Sequence, residues 1–503
     1  MKRLVLTIAA AGVFAALAKD NYVDPNPYAS YGPAMSPNPQ HQMAIEFDVN
    51  RRPVLDAATA PEKIAAILES DEAVNALLLK VKPNYRTCPV AACQIAACSQ
   101  YVMGSEPWYA FWRTGRCELR RRWVGALLKF IRESDDDYVR EYLLDQLRWC
   151  GCPNAGAKAL ASVFDASENV RAMAAMVARE LADASDAKAY GCPFGTWGLY
   201  LPFPTMKAGH LILSKDDAGQ PQAKLLWRWA SPFDVEHVAL AEGGFKLRFG
   251  NHKAKDLPQD KGKWRDDVVE AKVFGDAAVC SYYKVDGFGK KVTPAQTFVA
   301  RRNPPVGPAP ELDKLVWGQP INLLSGSMDD FELMEAGKQS GWTLKDGVLS
   351  NRIARGPNGK SLHKNGNLRT KRADFRDFKL SYDVRVLPGC NSGVYLRGLY
   401  EIQVLDSYGK PVDCHNMAAY YGRVCPAVAA EKPAGEWQHV DVILCRRHLT
   451  VTLNGKRIID NVAMTGITGG AMTPDEFAAG PLYIQGDHSD ADFRNMVLTP
   501  IVP

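Results

Sequence analysis

Between Asn391 and Asp406 the chain reads NSGVYLRGLYEIQVLD, and its apolar and polar residues separate by parity. Val394, Leu396, Ile402 and Val404 fall on even positions, while Tyr395, Arg397, Glu401 and Gln403 fall on odd ones. A period of two belongs to a strand with one face on a core and the other face open. The stretch therefore predicts two strands whose open face carries a cation, a carboxylate, an amide and a phenol. Such a face suits a cleft for a polar ligand. A hairpin with a merely solvated outer face is the plainer alternative.

The same kind of pattern divides the rest of the chain. Residues 54–188 repeat Ala and Leu at helical spacing. Val139, Tyr142, Leu143, Leu147 and Trp149 form one apolar stripe, and Val170, Met173, Val177 and Leu181 form another. Asp or Ser stands before each. Ala157–Phe164 supplies a short helix between them. Paired helices at this spacing predict a HEAT-like segment, with an irregular bundle as the alternative. Residues 189–300 change to short alternating runs (GTWGLYLPF, GHLILSK, AKLLWRWAS, EHVALAEG, FKLRFG, VVEAKVFG) separated by Gly and Asp turns. These predict an accessory antiparallel β-sandwich or barrel. Its Trp197, Trp227 and Trp229 suit a core better than a sugar-stacking surface. Residues 301–317 are a Pro-rich linker that opens with RRNPPVGPAPELDK. Residues 318–503 form a second all-β unit, in which Phe378, Leu380, Tyr382 and Val384 alternate with polar residues and Asn454-Gly455 marks a hairpin.

Composition adds boundaries. A chain of 503 residues exceeds one core. A formal charge of +5, with dispersed Lys and Arg, gives no track for nucleic acid. Lys2 and Arg3 precede an apolar run from Leu4 to Leu17, with Ala16-Leu17-Ala18 as a small-x-small site. Residues 1–18 thus read as a signal peptide too short to span a membrane, and the mature chain is expected to be exported, periplasmic or extracellular. A Pro-rich extended leader, 19–53, follows. Twelve cysteines in an exported chain predict disulfides, with Cys414 and Cys425 a plausible pair flanking a loop. The remaining cysteine spacings do not match zinc sites.

On its motifs the last unit resembles the 3-keto-disaccharide hydrolase domain family, also described as 3-keto-glucoside lyase and hydratase domains. The resemblance is carried, in order, by INLLSGSMDDFEL, Trp342 to Gly347, LRTKRADFRDFKLSYDVRV, NSGVYLRG, YEIQVLD, Ala418 to Tyr420, GEWQHVDV, VTLNGK and GPLYIQGDHSDADFRN. The chain departs from the pattern at Ser489-Asp490, at Gln438, and at Arg446-Arg447-His448. The resemblance implies a concanavalin-like jelly roll and a 3-keto-glycoside substrate. The ketone at C3 of such a sugar acidifies the C2 proton, so a base can start β-elimination of the aglycone, and water then adds to the hydroxy-glucal.

Within that chemistry Glu401 is the expected base and His488 the expected acid. Arg397 and Gln403 would hold the ketone or its enolate. Tyr395, Asn391 and Gln485 join the same odd-numbered faces, Asp406 stands at a strand end, and Tyr420 and Trp437 would shape a sugar platform. No cofactor is required by any motif; a carboxylate- and His-bearing site leaves room for a divalent cation, although no ligand spacing demands one. The implied chemistry requires a source of the keto sugar, for which an oxidoreductase partner is the candidate. A non-catalytic glycan-binding protein, or a two-carboxylate hydrolase using Glu401 and Asp406, are the competing readings.

Overall fold

The computed structural model describes residues 61–81, 89–103, 116–149, 159, 162–182, 192–241, 243–250, 265–335, 337–357 and 361–502. The expected signal peptide and leader lie outside these residues. The chain forms two compact units: Met1–Pro193 with Glu236–Arg301, and Phe194–Val235 with Arg302–Pro503. The accessory β segment is thus shared out between them.

The helices of the first unit are α1 (Pro61–Leu68), α2 (Asp71–Leu78), α3 (Pro89–Met103), α4 (Arg116–Glu133), α5 (Asp137–Trp149) and α6 (Glu168–Ala182). Caps set their starts: Ser70 accepts from the Ala73 N–H at 3.1 Å, and Asp136 accepts from Val139 at 3.1 Å. Val139, Tyr142, Leu143 and Leu147 of α5 are buried, as are Val170, Met173 and Val177 of α6. Arg140 grips Asp165 with two bonds of 3.0 Å, fixing the connection between these helices. A polar thread crosses the helical core, where Trp123 donates to Ser99 and Ser99 to Gln146. Half of the helix expected at 157–164 lies outside the described residues.

The first nine strands are β1 (Gly195–Tyr200), β2 (Ala208–Lys215), β3 (Pro221–Trp227), β4 (Phe233–Asp234), β5 (His237–Ala241), β6 (Gly244–Phe249), β7 (Asp266–Phe274), β8 (Ala277–Val285) and β9 (Gln296–Asn303). All their pairings are antiparallel, in the order β4-β3-β2-β1 in the second unit and β9-β8-β7-β6-β5 for the rest.

The C-terminal domain contains β10 (Val316–Trp317), β11 (Ile321–Asn322), β12 (Phe331–Leu333), β13 (Trp342–Lys345), β14 (Val348–Asn351), β15 (Leu368–Thr370), β16 (Phe378–Val386), β17 (Asn391–Leu396) and β18 (Tyr400–Leu405). It ends with β19 (Gln438–Cys445), β20 (His448–Leu453), β21 (Lys456–Ala463), β22 (Tyr483–Ile484) and β23 (Ala491–Val502). One sheet runs β13-β14-β23-β16-β19-β20-β21, with β10 and β11 also on β23; the other runs β12-β15-β22-β17-β18. These two antiparallel sheets make a jelly-roll sandwich. Strand β16 alternates buried and half-buried at every residue, as its sequence dictates. Its Phe378, Leu380, Tyr382 and Val384 meet Val394, Leu396, Ile402 and Val404 of the facing sheet in one core. Each such side chain contributes roughly 1.5–3 kcal/mol. Asn454 and Gly455 take φ of 49° and 80°, the left-handed pair that a two-residue hairpin needs between β20 and β21. The chain is therefore mainly β with an N-terminal α region.

Candidate active site

The five-stranded sheet sorts its side chains by parity. Even residues of β17, β18 and β22 enter the core, and odd residues occupy the opposite face. On that face Tyr395 stands opposite Glu401 and next to Tyr483, while Gly393 stands opposite Gln403. The Gln485 N–H donates to Gly393 O at 2.9 Å, which places Gln485 beside the glycine. The result is a grid of one carboxyl, two phenols and two carboxamides around a bare position. Gly393 has to be bare: a Cβ there would run into the Glu401 carboxyl.

This face is not the open one that the alternation predicts. Tyr395, Glu401 and Gln403 are only 1%, 3% and 2% exposed. Two loops cover it. Residues 418–421 add to the free edge of β18, where Ala418 donates to Gln403 O, Gln403 to Ala419 O, and Tyr421 to Glu401 O. The strap 464–480 supplies Thr468, which accepts from the Glu401 N–H at 2.9 Å, and Gly469.

The Tyr395 hydroxyl lies 2.8 Å from Glu401 Oε2 and 2.7 Å from Gly469 O. A phenol has one proton, so donation to the carbonyl leaves the carboxyl to donate to the phenol. A protonated Glu401 satisfies every atom of that chain. Its electrostatics agree: burial chiefly, with the negative charge of Asp487 adding, pushes the Glu401 carboxyl up to about 8, against the bond that Tyr395 would donate to its ionised form. Burial and the same carboxylate hold Tyr395 and Tyr483 well above the ordinary phenol range, so both remain donors. Their rings stack at 4.0 Å.

Asp487 and His488 sit at the end of this grid. Burial raises Asp487, but the His488 hydrogen bond, at 2.6 Å from Nδ1, brings it below the ordinary range. The His488 side chain is 42% exposed and that of Asp487 22%, so the pair joins the buried grid to solvent. The oxygens Asn391 Oδ1 and Gln485 Oε1 are buried without a hydrogen-bond partner, two acceptors that a hydroxyl-rich ligand could satisfy. Gln403 Oε1 accepts from Val404, which leaves its amide N–H groups for a ligand.

Four expected site residues lie elsewhere. Arg397 occupies the turn after β17 with φ of 54°, where the alternation stops; its guanidinium donates to Glu476 O and lies 5.6 Å from the Tyr400 ring. It forms no ion pair with Glu401. Tyr420 points into the core and donates to Gly466 O; its neighbour Tyr421 is the phenol whose ionisation burial and the Glu401 charge oppose. Trp437 precedes β19 on the outer face of the other sheet, between the guanidinium groups of Arg385 and Arg494 at 4.8 and 4.1 Å. Asp406 accepts from the Gly389 N–H at 2.9 Å and so closes the turn before β17.

Arg397 belongs to a second buried cluster around Glu476. That carboxylate accepts from Asn303 at 2.6 Å and Tyr400 at 3.0 Å, and Arg447 and His210 stand at 3.5 and 3.7 Å. Burial raises Glu476, with Arg447 opposing; burial, then the charges of Arg423 and Arg447, lowers His210 well below the ordinary imidazole range and keeps it neutral.

Sequence reasoning gives no role to Gly393, nor to Tyr483, which it places on the odd face beside Gln485, and it misses Tyr421 and Gly469. The first two carry a signal, since they continue the odd parity. The others come from loops and leave none. A second omission is Ser231, whose hydroxyl lies 2.7 Å from His415 Nε2, with Asp413 bonded to the other ring nitrogen. Cys414 and Cys425, on either side of that loop, form the expected disulfide. Among the described residues no group of three His, Cys, Asp or Glu side chains could hold a metal ion, and no helix is long and apolar enough to cross a membrane.

No curated protein matches the chain. Among solved structures, a candidate glycosyl hydrolase from Parabacteroides distasonis shares 24% identity with a TM-score of 0.29, covering 39% of this chain and 93% of its own. Another from the same organism shares 21% identity with a TM-score of 0.27, covering 36% and 98%. A carbohydrate binding module from Bacillus subtilis shares 12% identity with a TM-score of 0.23, covering 33% and 93%. Residues 319–499, nearly all of the two-sheet domain that builds the Glu401 face, match the family model described as the 3-keto-alpha-glucoside-1,2-lyase-like domain.

Proposed function

We propose that the C-terminal domain cleaves 3-keto-glycosides by β-elimination and hydration. The family match supports a carbohydrate-active enzyme. The observation that carries the finer reading is one buried carboxyl, Glu401, lying over the bare Gly393 between phenol and carboxamide donors. In this reading the ionised Glu401 removes the C2 proton and the electron pair moves to the C3 oxygen as an enolate. The amide of Gln403 donates to that oxygen. The enolate then restores the C3 carbonyl, the C1–C2 double bond forms, and the bond from C1 to the aglycone breaks. His488, oriented by Asp487, gives the departing oxygen its proton. Water adds at C1 and gives its spare proton to His488, while Glu401, whose proton exchanges with solvent during the life of the hydroxy-glucal, protonates C2, giving the free 3-keto sugar.

The two-carboxylate alternative loses its geometry. Glu401 and Asp406 are five residues apart along an extended stretch, roughly 16 Å, whereas paired glycosidase carboxyls stand about 5–9.5 Å apart. The proposal also places the mature protein in an oxidising, exported compartment, supported by the Lys2-Arg3 leader and the Cys414–Cys425 disulfide. A separate oxidation at C3 has to precede its reaction.

Incubation with a panel of 3-keto-glycosides in deuterated water tests the chemistry. Deuterium at C2 of the product, a hydroxy-glucal intermediate, and a loss of at least about 10²-fold in kcat for Glu401→Gln are expected. Cleavage without C2 exchange would refute elimination, and saturable glycan binding without product would favour a binding module.

A further inference from the structure

The turn after β3 lies outside the residues that match the family model, yet it reaches the Glu401 face. Gly469, whose carbonyl accepts from Tyr395, packs so tightly on this turn that a Cβ would strike the backbone of Ala230. The next residue, Gly470, donates to Arg228 O at 3.2 Å, and a Cβ on it would stand 2.9 Å from the Tyr395 hydroxyl. One layer of glycine backbone therefore separates the turn from the Tyr395–Glu401 pair.

The turn itself is held in an unfavourable shape. Trp229 donates to Trp227 O at 3.1 Å across Arg228, whose φ is 78°, a γ-turn of the rare, strained hand. Ala230 follows with φ of 62°. The surroundings hold this shape from three sides. The Arg228 guanidinium lies 4.1 Å from the Phe203 ring and 4.5 Å from the Trp229 ring, Gly470 binds the Arg228 carbonyl, and Ser231 is bonded to His415. Strain kept by so many contacts is a feature of functional segments. What it presents is Trp229, an indole 55% exposed, whereas Trp197 is fully buried.

We infer that Trp229 is the platform of an aglycone subsite, stacking on a sugar or aromatic ring attached at C1 of the glycone. The inference rests on the Glu401 face being the reaction site. An indole held in a strained turn, with the Arg228 guanidinium 4.5 Å from its ring and about half of its surface in water, is suited to the apolar face of a further ring.

Two measurements on the full-length protein test it. In the first, kcat/KM is compared for a methyl 3-keto-glucoside and a 3-keto-disaccharide. The ratio of disaccharide to methyl glycoside should fall about tenfold in Trp229→Ala and be largely restored in Trp229→Phe, as expected of an aromatic anchor. An unchanged ratio would overturn the inference. The second needs no turnover: quenching of tryptophan fluorescence by an ordinary glucosyl disaccharide should saturate in the wild type and disappear in Trp229→Ala. Saturation persisting in the variant, or absent from both proteins, would equally overturn it. Failure of all 3-keto-glycosides to react, with the quenching intact, would sink the reaction proposed above and leave Trp229 as a sugar-binding residue.

Discussion

At the residue scale the Glu401 carboxyl sets two opposing pH dependences. Its folded value of about 8 lies above the ordinary 4.5, so the neutral form is favoured by the fold. The stability this provides is complete below pH 4.5 and is lost as pH rises to about 8. Catalysis as a base needs the other form, so the limb of the kcat/KM profile set by Glu401 should rise as pH approaches about 8. Glu401→Gln should therefore be inactive yet more stable than wild type, and the gap in Tm should widen between pH 5 and pH 8. Thermal unfolding at several pH values measures it; a constant gap would mean that the carboxyl is not held neutral. Gly393→Ala is the complementary change. Its methyl group would push against the carboxyl, and activity should fall about 10²-fold while circular dichroism stays that of the wild type.

At the element scale the turn between β19 and β20 explains a departure from the family pattern. Arg446 and Arg447 both have positive φ, 49° and 62°, where Gly or Asn would be at ease. The second of them reaches Glu476 and donates to Pro304 O at 2.9 Å. Local strain is thus exchanged for charge in the buried cluster. Removing the carboxylate, as in Glu476→Ala, strands Arg447 and should cost about 3–5 kcal/mol in denaturant unfolding. Gln438, another departure, links Lys432 to Asn454 and so belongs to the hairpin rather than the site. These elements also show what the sequence can tell. The parity of β16, β17 and β18 and the Asn454-Gly455 turn are local, and they were legible. Arg397 was misplaced because its positive φ ends the strand, so counting by twos no longer applies. Tyr420 was misplaced by one residue because a loop paired to a strand edge carries no alternation of its own.

At the scale of the whole molecule, the strap 464–472 is confined on both sides. The Tyr395 phenol bonds to it from the sheet; from the other side His210, Arg228 and Ala230 press on Gly466, Gly469 and Gly470. Residues 302–503 expressed without 194–235 should therefore melt about 10 °C lower than the full chain, a shift that calorimetry resolves. The same reasoning bears on the Cys414–Cys425 link. It ties the two ends of the loop that carries His415, Tyr420 and Tyr421. A thiol reductant added to purified protein should slow turnover before it unfolds either sheet. Under the export proposed above, the newly made chain would travel in an idle form, and its chemistry would begin only where oxidants close the clasp.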